Sequence, residues 1–320
     1  MTHKVAVIGL GVMGQRMLGN MAVHSDFEVV SVWDPDGVAC VDTKATYPSL
    51  NIADSREALV ADPLVDVVYI ASPPATHRAH ALSAMAHGKA VYCEKPLGVD
   101  IAESRDLAAQ AEKSGCCCIV NFSLASAHAV GLVERKLQDG VLGDVAGVDI
   151  RTHFSTWPRD WQMGAAGWLS RRAQGGFTRE VLSHWVYLSE RLFGSATLKH
   201  TAARYPEGDG AETHLHAGLD CGGVPISIAG SVGGVGPDRV EFTVWGSRES
   251  CRIYDWNRLR VSDGGDWQEA MTDIDDPREH GYRLQLDNAA AAFSGKAHTM
   301  PDFKAALSVQ ILIEDMLRQR

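Results

Sequence analysis

The chain has 320 residues, 45% of them hydrophobic and 22% charged, with a formal net charge of -10. That length suggests two domains, and the composition fits a globular protein able to bury a large core. The acidic balance, with no offsetting basic stretch, argues against a nucleic-acid partner or an anionic membrane surface.

Met1-Thr2-His3-Lys4 leads straight into Val5-Ala6-Val7-Ile8, with no signal-peptide pattern and no apolar run long enough to span a bilayer. Residues 5–8 read as a strand, 14–23 as a helix and 27–33 as a strand, and Ser55 caps a short helix through 61. Residues 65–71 form a near-continuous apolar run, as expected for a central parallel strand covered on both faces. A helix at 76–87 ends at Gly88, a strand follows at 90–93, a helix at 101–114 ends at Gly115, and 116–120 is a strand. This alternation predicts an α/β fold with a doubly wound parallel sheet. The consecutive Cys116-Cys117-Cys118 alternate across that last strand and read as small buried residues, and none of the seven cysteines has Cys-x-x-Cys spacing. Reduced thiols in a cytoplasmic protein are expected.

The pattern then changes. A helix at 127–139 precedes a strand at 145–154, an irregular stretch at 155–176 and a helix at 177–193. Strands follow to 261, including a pair at 215–221 and 224–229 around the hairpin signal Gly222-Gly223. Further strands are expected at 239–245, 251–256 and 258–261, then helices at 281–293 and 302–317. The second half reads as an α+β domain with a largely antiparallel sheet. The change of pattern divides the chain into a first domain at residues 1–121 and a second at 122–320.

Gly9-Leu10-Gly11-Val12-Met13-Gly14 follows a strand and opens a helix, the context a dinucleotide fingerprint requires. The first glycine permits a tight turn, the second lets the backbone approach a pyrophosphate, and the third allows close helix–strand packing. The helix N-terminus faces the phosphates. Gly9, Gly11, Val12, Met13 and Gly14 are therefore candidate cofactor-binding residues. Asp34 ends the second strand, where a carboxylate accepts hydrogen bonds from ribose hydroxyls and repels a 2′-phosphate. No arginine immediately follows it, so NAD is favoured over NADP. Ser72, Pro73 and Pro74 close the central strand and offer apolar surface to a nicotinamide or its ribose, with Thr76 as a helix N-cap. His77, in the first helical turn, reads either as a cofactor neighbour or as a solvent-facing histidine. Glu94-Lys95-Pro96 then puts a lysine at a strand end, where it can orient and polarise an oxygen beside a nicotinamide.

The glycine run, Ser72-Pro73-Pro74-Ala75-Thr76-His77 and the stretch from Gly88 through Glu94-Lys95-Pro96-Leu97 resemble the Gfo/Idh/MocA oxidoreductases, the glucose–fructose oxidoreductase and inositol dehydrogenase family. Later matches are 140–143, Gly175-Gly176, His184 and Val244-Trp245-Gly246-Ser247. The resemblance implies a Rossmann-like N-terminal domain and a C-terminal α+β domain with a large, open sheet. It implies a nicotinamide cofactor, and oxidation of a hydroxyl or reduction of a carbonyl on a sugar, polyol or related cyclic compound. It also implies a homo-oligomer, a dimer or tetramer, formed through the open sheet.

The family carries Gly-Gly-x-x-x-Asp-x-x-x-His on a helix at the substrate pocket. Here the run from Gly175-Gly176 to His184 keeps the histidine, replaces the aspartate with Glu180 and has Tyr187 where a further acid is usual. On an α-helix Glu180, His184, Tyr187 and Arg191 form one polar stripe, beside an apolar stripe of Val181, Trp185, Leu188 and Leu192. Such a stripe alone reads as a solvated face. The Gly-Gly lead-in and the partner lysine turn the reading toward catalysis by Lys95 and His184, with Glu180 orienting the imidazole or binding a neighbouring hydroxyl. Glu94 supports Lys95 or the cofactor.

Trp157, Arg159, Trp161, Trp168, Arg171 and Arg172 crowd the irregular stretch. Tryptophan faces stack on sugar rings and arginines pair with carboxylates or phosphates, although some of these tryptophans anchor the loop to the core. Asn121, Trp161, Trp168, Arg171 and Tyr187 are the candidate substrate contacts. Many relatives place arginines just beyond Asn121, where this chain has Phe122-Ser123-Leu124-Ala125-Ser126. His214 and His216 share one face of a strand with no evident third ligand, so no metal is expected. Two other readings stay open: a carbonyl or imine reductase on a non-sugar substrate, and a nucleotide-binding regulator without turnover.

Overall fold

The structure, a computed structural model, describes residues 2–318. The chain divides into two compact units. The first comprises Met1–Phe122 with Gln285–Ser308, and the second Ser123–Leu284 with Val309–Arg320. The sequence reading keeps 122–320 together, whereas a late segment packs with the first unit. His3 lies 5.6 Å from Phe293 between ring centroids, and the Val120 amide donates to the Pro301 carbonyl at 2.9 Å.

In the first unit β1 (His3–Ile8), β2 (Phe27–Trp33), β3 (Asn51–Ile52), β4 (Val67–Ile70), β5 (Ala90–Glu94) and β6 (Cys118–Asn121) form one sheet. Its order is β3-β2-β1-β4-β5-β6, and every pairing is parallel. All four residues of β4 are buried, as a strand covered on both faces requires. The Val12–Ala22 helix buries Gly14, Met17, Leu18 and Met21, spaced as one helical face. The order reverses between β1 and β4, and that switch point is where open parallel sheets bind ligands at their carboxyl ends. The glycine loop follows β1, Ser72-Pro73-Pro74 follows β4 and Lys95 follows β5. A Gly37–Thr46 helix, capped by Asp36 through the Val38 amide, and the two-residue β3 went unread in the sequence.

The second unit is built on β7 (Val145–Phe154), β8 (Ala196–Arg204), β9 (His214–Cys221), β10 (Val224–Val232), β11 (Arg239–Gly246), β12 (Ser250–Tyr254), β13 (Arg258–Ser262) and β14 (Gln268–Glu269). The order is β14-β13-β12-β11-β7-β10-β9-β8. Only β7 and β10 run parallel among these pairings. Gly222 and Gly223, both at positive φ, turn β9 into β10 as expected. The Ser183–Phe193 helix packs on this sheet: Trp185 stacks 5.7 Å from Phe242 and 5.7 Å from Trp256. The sequence reading starts a regular helix at 177, but Thr178–Leu182 is a wider π turn. The stretch 155–176 is less irregular than read, holding a 3-10 turn at Asp160–Ala165 and a short helix at Ala166–Leu169. Among the described residues no helix is long and apolar enough to cross a membrane.

Candidate active site

The glycine loop is shaped by close backbone contact. Gly9 has a φ of +98°, and a Cβ there would lie 2.6 Å from the Ser72 amide nitrogen. A Cβ on Gly14 would lie 2.0 Å from the Gly9 carbonyl oxygen, whereas one on Gly11 would meet nothing within 4 Å. Gly9 and Gly14 thus answer to the fold, and Gly11 borders open space. The Val12–Ala22 helix has no side-chain cap and no acid in its first turn. Its leading amides are therefore the kind of donors that hold a pyrophosphate. Val12 is exposed and Met13 half-buried on that turn.

Asp34 is tied to the same loop. One carboxylate oxygen accepts from the Leu10 amide at 2.7 Å and the other from the Asp36 amide at 2.8 Å. Each oxygen keeps a second lone pair, which a ribose hydroxyl can use. These features fit a dinucleotide: open room at Gly11, uncapped amides, and an acid at the end of β2.

His77 is not the solvent-facing histidine of the two sequence alternatives. It is fully buried. Its Nε2 lies 2.8 Å from the Ser72 carbonyl oxygen and its Nδ1 2.9 Å from the Pro96 carbonyl oxygen. The ring thus joins the loops after β4 and β5 instead of facing solvent. Burial pushes the imidazole below its ordinary pKa, and the neutral ring donates to one carbonyl at a time. Thr76 holds the expected N-cap position but makes no side-chain cap bond, since its hydroxyl bonds back to Ser72 Oγ at 2.7 Å and the Pro73 carbonyl at 2.8 Å. Pro73 is exposed and Pro74 buried.

Lys95 is half-buried beyond β5, and the Lys95–Pro96 peptide is cis. Glu94 points into a buried polar network. Its Oε1 accepts from the Tyr69 hydroxyl and from Asn121 Nδ2, the latter at 2.6 Å. Asn121 Oδ1 in turn accepts from the Tyr92 hydroxyl at 2.6 Å and from the Gln285 amide. Asn121 is 4% exposed, so its amide is spent on supporting Glu94 and the expected substrate contact is corrected.

In the second unit His184 is 6% exposed. Its Nδ1 lies 3.5 Å from Ser123 Oγ, and the ring of Trp256 stands perpendicular to the imidazole. Glu180, half-buried in the π turn, accepts from Gln162 Nε2 at 3.2 Å, and Gln162 Oε1 accepts from Arg159 Nε at 2.9 Å. The supposed solvated stripe is buried in part. Tyr187 is buried beside Arg191, whose guanidinium forks onto Glu134 with two contacts of 2.7 Å.

The aromatic-rich stretch divides. Trp157 anchors the loop, donating to the Leu169 carbonyl at 3.2 Å and packing on Phe154 and Phe177. Trp161 is 43% exposed and receives the Arg159 guanidinium 4.7 Å from its ring centroid. Trp168 is half-buried on the short helix. Arg171 departs from the expected pocket role, forming an exposed ion pair with Asp209 at 2.5 Å. His214 and His216 are exposed on β9, and among the described residues no cluster of three or more metal-ligating side chains occurs. Ser123, Gln162 and Trp256 escaped the sequence reading because only the fold brings them near His184 and Glu180.

A family model described as an oxidoreductase family with an NAD-binding Rossmann fold matches residues 3–122, and the C-terminal alpha/beta domain of the same family matches 134–320. The trans-1,2-dihydrobenzene-1,2-diol dehydrogenase of Oryctolagus cuniculus is 34% identical over 46% of this chain and 46% of its own length. The chain spans about half the length, or less, of the curated relatives it matches. The WlbA dehydrogenase of Bordetella pertussis, solved with NADH and UDP-GlcNAcA, superposes with a TM-score of 0.82 at 21% identity, covering 98% of this chain and 94% of that one. KijD10, a 3-ketoreductase of Actinomadura kijaniata solved with NADP, also gives 0.82, at 17% identity over 98% and 96%. At these identities the structural likeness is one of fold.

Proposed function

The chain belongs to the Gfo/Idh/MocA oxidoreductase family, and from that premise we propose that it moves a hydride between NAD and a sugar, polyol or related cyclic alcohol or ketone. The observation that carries the reading is Lys95 at the carboxyl end of β5, in the same parallel sheet whose β1 leads into the glycine loop. Gly9, Gly11, Val12, Met13, Gly14 and Asp34 would hold the dinucleotide, with Ser72, Pro73 and Pro74 beside its nicotinamide end and His77 bracing the two loops. When bound, the cofactor supplies the hydride acceptor or donor. Asp34 supports NAD over NADP through its charge.

The ammonium of Lys95 donates a hydrogen bond to the substrate oxygen and stabilises the negative charge that develops there. His184 accepts the hydroxyl proton as the C–H bond gives up its hydride, and returns that proton when a carbonyl is reduced. Glu180, with one oxygen held by Gln162, orients the imidazole or a neighbouring hydroxyl. Glu94 keeps the lysine's strand end in place through its network. Trp161 and Trp168 offer ring faces to an apolar sugar face, and Tyr187, beside Arg191, offers its hydroxyl to a substrate hydroxyl. The seven free cysteines support a cytoplasmic setting, and the alternate exposed residues of β8 and β9, His214 and His216 among them, support a homo-oligomer formed through the eight-stranded sheet.

A panel of sugars, polyols, ketones and imines, followed at the reduced-nicotinamide absorbance with NAD and NADP, tests this. Turnover of a cyclic alcohol that collapses in Lys95→Ala supports it. Turnover confined to imines or non-sugar carbonyls favours the reductase reading suggested by Glu180, Tyr187 and the arginine-free Phe122–Ser126 run. Cofactor binding without turnover on any member would leave a regulator.

A further inference from the structure

We propose that Glu212 is a positioning residue for His184, fixing the Gly175-Gly176 turn from which the helix bearing Glu180 and His184 departs. Glu212 is 2% exposed, on the segment between β8 and β9. That segment is itself held: the Ala211 amide donates to the Ser170 carbonyl at 2.9 Å and the Thr213 amide to the Arg204 carbonyl at 2.8 Å. Glu212 Oε1 accepts from the Thr178 amide at 2.7 Å, at the first residue of the π turn. A carboxyl there satisfies an amide that helical bonding leaves without an acceptor and complements the helix dipole.

The glycine pair gains a reason from the same contact. Gly176 holds a φ of +101°, and a Cβ on it would lie 2.2 Å from Glu212 Oε2. The neighbouring Gly175 leaves no more room, since its Cβ would lie 2.0 Å from the Leu169 carbonyl oxygen. The turn is gripped from its other side by Arg179, which donates to the Arg172 and Gly175 carbonyls at 2.8 Å each and forks onto Glu314 at 2.6 and 2.8 Å. Glu212 Oε2 and Thr178 Oγ1 are both buried at this turn. Burial pushes the Glu212 carboxyl up, against the opposing pull of Thr178 and Arg179. A buried acid is costly to keep, and here it lies under the wide turn that sets the phase of Glu180 against His184. π turns of this kind recur at functional sites.

The functional consequence rests on the reading of His184 as the proton acceptor, but the coupling is measurable without turnover. The full chain, labelled at the histidine Cε1 positions, is titrated by NMR, with the His184 signal assigned by its loss in His184→Gln. Two variants are compared with the parent: Glu212→Gln, which keeps an acceptor for the Thr178 amide, and Glu212→Met, which fills the space without one. The expected result is a displaced His184 signal and a shifted titration midpoint in the methionine variant, both restored in the glutamine variant, with NADH binding unchanged throughout. An unchanged His184 titration in Glu212→Met overturns the proposal. So does a Glu212→Gln protein whose His184 signal is displaced, and this second criterion holds even where the methionine variant fails to fold. Absence of turnover on the alcohol panel would count against the oxidoreductase reading and leave this measurement intact.

Discussion

Trp256 meets His184 edge to face, with ring centroids 5.4 Å apart and planes at 88°. The indole also stacks on Trp185, at 5.7 Å and 28°. Trp256 and the preceding Asp255 hold φ values of +70° and +44°, a backbone region that costs a side-chain-bearing residue about 1–2 kcal/mol. Packing on Trp185 offsets that cost and holds the indole perpendicular to the imidazole. Trp256→Leu is expected to lower kcat roughly 10- to 100-fold by freeing the His184 ring, while Trp256→Phe keeps most of the rate. Steady-state kinetics beside a thermal melt of each variant checks this, and a leucine variant with parental kcat would detach the indole from the chemistry.

Gly11 and Gly14 separate binding from folding. A methyl group on Gly14 collides with the Gly9 carbonyl, whereas one on Gly11 meets no protein atom. Gly14→Ala should therefore lose several °C of melting temperature. Gly11→Ala should cost only about 0.5–1 kcal/mol, the ordinary loss for alanine at an N-cap, yet weaken NADH binding by about tenfold or more through its crowding of the pyrophosphate. Nicotinamide fluorescence titration with parallel melts decides it. Equal loss of stability in both variants would show that the loop is shaped by packing alone.

The first unit was more legible than the second for physical reasons. Parallel strands buried on both faces read as apolar runs, so β1 and β4 are plain, and the glycines of the first loop stand out by their spacing between a strand and a helix. Two-residue β3 carries too little pattern to see, and Gly37–Thr46 mixes glycine with β-branched residues that disfavour helix. Residue spacing could not reveal the π turn at Thr178–Leu182, because the shift from i+4 to i+5 bonding leaves the composition unchanged. The burial of Asn121 is not visible in the sequence because its partner Gln285 lies far along the chain. Glu212 and Trp256 reach the His184 helix only through the sheet topology of the second unit.

Asp34 carries the cofactor preference. Its carboxylate holds the Leu10 amide and keeps lone pairs for ribose hydroxyls. Asp34→Ala removes charge-assisted hydrogen bonds worth about 1.5–3 kcal/mol together. NADH affinity should fall roughly 10- to 100-fold, and the ratio of NADH to NADPH affinity should fall with it as the repulsion of a 2′-phosphate disappears. Competitive titration of the two reduced cofactors measures the ratio. If it does not change, the choice between them is made elsewhere.

Tyr69 gives the first unit an alkaline limit. Burial, and next the negative charge of Glu94, push the phenol well above its ordinary value of 10.0. The folded chain therefore holds this proton more tightly than the unfolded chain does. The stability it contributes is fully present below pH 10 and is lost as the pH rises toward the folded value, by up to about 1.4 kcal/mol per pH unit. Tyr69→Phe removes the titration and takes one donor from Glu94, leaving the carboxylate with Asn121. At pH 7 the variant should be less stable by about 1–3 kcal/mol. Above pH 10 its stability should fall more gently than that of the parent, so the two curves converge. Urea unfolding at pH 7 and across pH 9–11 measures both effects, and parallel alkaline slopes in the two proteins would assign that limb to other groups.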